Sequence, residues 1–163
     1  MKYQCPLNET VVGKILIYLM KTNEAPIVIS QAFNASINEV WEAITRVDQM
    51  RQWFFDNIPA FEPEIGFTTQ FEVSSGEHVF PHIWTIIAVE PAHKITYNWR
   101  YDGYQGNSLV HFELTEDNTK TVLTVIHETT ADFPDDIPEF SRESCRGGWE
   151  YFIQERLKKY LED

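Results

Sequence analysis

Between Phe67 and Ile126 the chain repeats one pattern, a β-prone run followed by a tight turn, and this repetition constrains its fold more than any other feature. The runs Phe67–Val73, Ile83–Val89, Ile95–Tyr101, Leu109–Leu114 and Thr121–Ile126 are separated by Ser75-Gly76, Glu90-Pro91, Asp102-Gly103 and Glu116-Asp117-Asn118. A parallel neighbour needs a crossover of a dozen or more residues, so connections this short predict an antiparallel meander. Ile95, Tyr97, Trp99 and Tyr101 alternate with Thr96, Asn98 and Arg100, while Val110, Phe112 and Leu114 alternate with His111 and Glu113. Successive side chains of a strand point to opposite faces, so one face of the sheet is apolar and the other wet. The apolar face requires a cover.

The cover is legible at the C-terminus. After the acidic, proline-containing stretch Asp132 to Pro138, residues Ser141 to Leu161 carry Cys145, Trp149, Phe152, Ile153, Arg156, Leu157, Tyr160 and Leu161 along one stripe, which predicts one long helix across the sheet. Upstream, Ile27 to Phe33 reads as a first strand. From there the period changes to three and four, through Ile37, Val40, Trp41, Ile44 and Val47. Ser36 is the expected N-cap of this helix, with Glu39 as its capping-box partner. A second short helix spans Gln49 to Phe55, and its Trp53-Phe54-Phe55 cluster must meet something apolar. Strand, two helices, five strands and a long helix make an α+β domain.

At 163 residues the chain fits a single domain, and 14% aromatic content spread along its length supports a real core. A net charge of -12 repels phosphate backbones and anionic lipid surfaces, so neither nucleic acid nor a membrane is an expected partner. The longest apolar run, Ile15 to Met20, is far short of the ~20 residues that span a bilayer. Cys5 and Cys145 sit at opposite ends with no CxxC or Cys/His spacing, which predicts a reduced cytoplasmic chain without structural zinc or other cofactor.

Chemistry-bearing motifs are sparse. None of His78, His82, His93, His111 and His127 has metal-ligand spacing, and His78 and His82 flank Pro81 in a turn or strand where four residues do not bring rings together. No GxSxG, Cys/His pair, phosphate loop or dinucleotide fingerprint is present, and Gly147-Gly148 reads as close helix packing. His127 is the exception, because alternation places it with Leu123 and Val125 on the inward face of the last strand. It reads either as a core histidine or as a polar contact for a bound molecule.

The order of these segments resembles the SRPBCC superfamily, also called START-like or birch-pollen-allergen-like. Within it the chain is similar to the family named after the C-terminal domain of the activator of the heat-shock-protein-90 ATPase. The resemblance rests on Ala32-Phe33-Asn34-Ala35-Ser36 with Val40 to Thr45, Trp53-Phe54, Ile87 to Pro91 leading to Trp99, Val110 to Leu114, Leu123 to His127, and Gly148-Trp149 opening a helix that ends at Tyr160-Leu161-Glu162. It implies a helix-grip fold, with about six strands wrapped around the terminal helix and a cavity between them for a small apolar molecule. Ser36 stands where the family often has proline, and Phe67 follows Gly66 where many members carry a second glycine. The co-chaperone pairs this module with another chaperone-binding domain for which this length leaves no room, so its activity is not carried over.

The expected pocket consists of Phe71, Tyr97, Trp99, Phe112, Leu123, Val125 and His127 from the sheet and Trp149 and Phe152 from the helix. A binding or carrier role is the first expectation. A cyclase, dehydratase or hydrolase using His127 or Tyr97 as proton donor, and a protein-interaction module, are the alternatives. Residues 26–163 form the expected domain. Residues 1–25 read as an N-terminal extension, with Met20 as an alternative start and the preceding apolar run free to pair at a sheet edge, bridge a homodimer or form an amphipathic helix.

Overall fold

The structure, a computed structural model, describes residues 20–163 together with the backbone of Thr10–Val11 and Lys14–Ile15. Those two short segments, β1 and β2, pair with each other in antiparallel fashion. The expected strand or helix through residues 16–19, and the side chains of residues 1–19, lie outside the described residues.

The main sheet has six antiparallel strands: β3 (Ile27–Phe33), β4 (Thr68–Ser75), β5 (His78–Glu90), β6 (Lys94–Tyr101), β7 (Asn107–Asp117) and β8 (Lys120–Ala131). Their order across the sheet is β3-β8-β7-β6-β5-β4, so the five later strands form the expected meander and the first closes it against the last. Inward alternation is plain in β6, where Ile95, Tyr97 and Trp99 are buried. Thr96 on the other face is also buried, its hydroxyl bonded to His111 Nδ1 at 2.9 Å. The register shifts between Ile86 and Ala88 leave Ile87 as a bulge, and bulges of this kind increase local twist and bend a long strand. The sheet therefore curves around what it covers.

Helix α1 (Ile37–Thr45) begins as its sequence predicts. Glu39 N–H donates to Ser36 Oγ at 3.2 Å, and Ser36 N–H donates to Glu39 Oε2 at 2.7 Å. Helix α2 (Val47–Trp53) is tied to it by the Trp53 indole N–H, which donates to the Ala43 carbonyl at 2.8 Å. Trp53, Phe54 and Phe55 are all buried. Phe54 stacks on Trp53 at 4.7 Å and meets Phe152 edge-on at 4.7 Å, so this cluster joins the helical pair to the terminal helix.

The terminal helix is continuous over residues 142–162 but changes winding. Its first part, α3 (Arg142–Trp149), is capped by Ser141 Oγ, which accepts from Ser144 N–H at 3.2 Å. Glu150–Leu157 is π-helical, and Lys158–Glu162 (α4) returns to α geometry. Trp149, Phe152, Ile153 and Leu157 are buried against the sheet, whereas Tyr160 is exposed. Stripe spacing predicts a helix face but is blind to this internal widening, which is uncommon and recurs at functional positions.

Candidate functional site

A partly open cavity lies between the sheet and the terminal helix. It holds about 570 Å³ of atom-free space including its opening, of which about 90 Å³ can be reached by the centre of a water-sized molecule. That is several times the ~10–15 Å³ one water needs, yet small for a sterol or a long acyl chain. The sheet contributes His82, Trp99, Tyr101 and His127; the helix contributes Ser144, Cys145, Gly148, Trp149 and Phe152. Met20, Phe55, Phe133, Glu139 and Phe140 close the remaining side from connecting segments.

His127 is held in one protonation state by its neighbours. The Trp149 indole N–H donates to His127 Nδ1 at 2.9 Å, so that nitrogen carries a lone pair and the ring hydrogen sits on Nε2. Burial, reinforced by the Arg142 charge, lowers the His127 pKa to about 3, which keeps the ring neutral. Its Nε2 is buried without a protein partner. His82 has the opposite tautomer: its Nδ1–H donates to the Phe80 carbonyl at 2.9 Å, leaving Nε2 as an acceptor. Burial lowers this pKa to about 4. The cavity is thus lined by two uncharged imidazoles of complementary hydrogen-bonding sense.

Cys145 Sγ lies 3.3 Å from His127 Nδ1, a Cys/His contact that reading the sequence had not found because strand and helix bring it together over 18 positions. It is not a thiolate–imidazolium pair. Burial pushes the thiol up to about 12, and the nitrogen facing it already accepts the indole N–H. Burial likewise raises Tyr101 well above its ordinary value. Three further polar atoms of the lining, Trp99 Nε1, Ser144 Oγ and Glu139 Oε2, are buried without partners among the described residues, although Glu139 Oε1 meets His78 Nδ1 at 3.1 Å. Among the described residues, no group of three or more His, Cys, Asp and Glu side chains is placed to hold a metal ion.

Of the residues expected to form the pocket, Trp99, His127, Trp149 and Phe152 line the cavity. Phe71, Tyr97, Phe112, Leu123 and Val125 are buried in the packed core but do not line it. The expectation passed over His82, whose signal was the inward run Phe80, His82, Trp84 and Ile86, all buried. The expected strand begins at Ile83, whereas β5 begins at His78 and runs through Pro81, so His82 falls outside the expected span.

Gly106, at φ +111°, lets the loop after β6 lie against Phe133: a Cβ there would fall 2.3 Å from the ring's Cδ1. Phe133 is also clasped from the other side, where its N–H donates to the Met20 carbonyl at 3.1 Å and its own carbonyl accepts from Lys21 Nζ at 3.1 Å. Lys21 is paired with Asp135, and Thr22 N–H donates to Asp132 Oδ1 at 2.7 Å.

No curated protein matches the chain by sequence. Among solved structures it is similar to protein BH1534 of Bacillus halodurans, with 26% identity, a TM-score of 0.67, and coverage of 86% of this chain and 99% of that one. DynU16, from the dynemicin biosynthetic locus, shares 27% identity at a TM-score of 0.65, with 85% of this chain and 48% of DynU16 covered. The Aha1 dimer from Colwellia psychrerythraea shares the fold, with 18% identity, a TM-score of 0.67, and 85% and 97% of the two chains covered. Among the described residues no helix is long and apolar enough to cross a membrane. The family described as activator of Hsp90 ATPase homolog 1-like protein matches residues 34–162, and with the six-stranded sheet gripping its terminal helix the chain belongs to that family.

Proposed function

We propose that this domain binds and carries a compact, largely apolar small molecule in the cavity between sheet and terminal helix. The observation that carries the reading is the combination of an aromatic lining with Trp99 Nε1, His127 Nε2, Ser144 Oγ and Glu139 Oε2, which are buried and unpartnered among the described residues. A polar atom left so costs about 1–3 kcal/mol, a cost that a bound molecule or water removes. Ligand sites have this character: apolar walls with a few polar groups that fix orientation.

Catalysis is less well supported. At neutral pH His127 and His82, lowered to about 3 and about 4, supply no proton, and the Cys145 thiol, raised to about 12, is no nucleophile. An interaction module would call for a broad joined apolar patch; among the described residues the exposed large hydrophobics are Val28, Ile65, Val79, Ile87 and Tyr160, of which Ile65 and Ile87 flank the bond from Gly66 N–H to the Ile86 carbonyl. The same proposal takes residues 26–163 as the domain and residues 1–25 as its extension. It places the protein in the cytoplasm, where the free Cys145 thiol stays reduced, and admits a second copy as partner, as in the Colwellia dimer.

Native mass spectrometry of the purified protein, followed by extraction, is expected to reveal a retained small molecule. A bare polypeptide mass, together with no saturable response of tryptophan emission to any apolar compound, overturns the proposal.

A further inference from the structure

The polar atoms of the cavity specify more than apolar character. His127 presents an N–H that no group of the described residues accepts, and its tautomer is locked by Trp149. Glu139 presents a carboxylate oxygen that no group of the described residues donates to, and His82 adds a lone pair on Nε2. These groups ask for a ligand with an acceptor at one end and a donor at the other. Among the described residues no Lys or Arg lines the cavity. Arg142, whose charge is felt at His127, is turned to the Ala25 and Pro26 carbonyls, and Lys21 is held by the Phe133 carbonyl and Asp135. An anionic ligand would therefore lose its hydration with no counter-charge inside and would meet Glu139 as well.

Length is set by the sheet. The His127 ring lies 6.1 Å from that of Trp99, whereas the Glu139 carboxylate meets His78 at 3.1 Å, and the His78 ring reaches Tyr101 through Phe80, whose ring lies 5.8 Å from each. Trp99 and Tyr101 are successive inward residues of β6, about 6–7 Å apart along the strand. A single ring with polar atoms at opposite ends covers that span, and the aromatic walls favour a planar one.

Resting on the carrier reading above, we infer that the occupant is an uncharged aromatic molecule of the hydroxyaryl ketone or aldehyde class, its carbonyl accepting from His127 Nε2–H and its hydroxyl donating to Glu139, and that carboxylic acids are excluded.

Calorimetric titration of the full chain at neutral pH with five probes tests this: 4'-hydroxyacetophenone, 4-ethylphenol lacking the carbonyl, acetophenone lacking the hydroxyl, 4-hydroxybenzoate, and ethylbenzene. The expected result is tightest binding of 4'-hydroxyacetophenone, a loss of roughly tenfold or more for each missing polar group, and no saturable heat with the benzoate. Glu139→Gln, which keeps the side chain's shape, is expected to narrow the penalty on the benzoate. His127→Phe is expected to abolish the ketone's advantage over 4-ethylphenol. Should that variant fail to fold, the probe ladder on the unaltered protein decides. Equal affinity of 4-ethylphenol, acetophenone or the benzoate with 4'-hydroxyacetophenone, or silence of all five probes, overturns this inference; the carrier reading falls only if the purified protein also shows a bare polypeptide mass and no emission response to any apolar compound.

Discussion

The indole of Trp149 and the imidazole of His127 are joined by a 2.9 Å hydrogen bond across the gap between helix and sheet, and this bond decides which nitrogen of His127 carries a hydrogen. Trp149→Phe keeps an aromatic ring in place but removes the indole donor, leaving Nδ1 only the weak Cys145 thiol at 3.3 Å. A loss of about 1–3 kcal/mol is expected. Chemical denaturation should show a lower midpoint with an unchanged slope.

Stability is expected to fall with acid earlier than carboxylates alone would cause. His82 and His127 have folded pKa values of about 4 and about 3, below the ordinary 6.5, so the unfolded chain takes up protons first. Their stabilising effect is complete above pH 6.5 and is lost as pH falls from there toward 4 and then 3. Each burial is linked to several kcal/mol, on the order of 3–5, against a total of ~5–15 kcal/mol for an ordinary domain. Glu39, Asp132 and Glu162, all lowered by hydrogen bonds, act in the same direction at more acid pH. Melting temperature measured from pH 7 to pH 4 should drop steeply below pH 6, and less steeply in His82→Phe.

Gly106→Ala places a methyl group against Phe133 on a backbone that side chains rarely adopt. The expected cost is about 1–3 kcal/mol. Phe133→Ala in the same chain removes the collision but not the backbone strain. The double variant should therefore lose less than the two single losses combined, which a double-mutant cycle by thermal denaturation measures.

A chain beginning at Met20 is expected to melt within a few degrees of the full chain, since Met20, Lys21 and Thr22 keep their bonds to Phe133, Asp135 and Asp132. Beginning at Ile27 removes this clasp and uncovers one side of the cavity. An apolar fluorescent dye should then bind at lower temperature. Equal melting of all three chains would show that the clasp contributes nothing.

Fold and site differ in how far residue order reveals them. Turn residues and period-two alternation are local, so the meander, the Ser36–Glu39 cap and the burial of Trp149, Phe152 and Ile153 could be read directly. Alternation also turned His127 and Trp99 inward, but it treats every inward residue alike. Whether Tyr97 packs in the core or Tyr101 borders a cavity depends on sheet curvature and helix placement, which no short window contains. Met20 reaches the site from ahead of β3 and Phe133, Phe140 and Cys145 from the stretch that leads from β8 into the terminal helix, and nothing in their spacing marks a common destination.

The pairing of β3 with β8 has a consequence for how the molecule is made. Ser30 and Thr124 are register partners 94 residues apart, whereas every other neighbouring pair in the main sheet is consecutive in sequence. On the ribosome, hairpins from β4 onward can close as they emerge, while β3 stays an unpaired edge until β8 has been synthesised. Closing so long a loop is an entropic step that local contacts cannot assist. The first strand made is thus the last to find its place, and its apolar inner face, Ile27, Ile29 and Phe33, is the surface of the nascent chain most in need of protection.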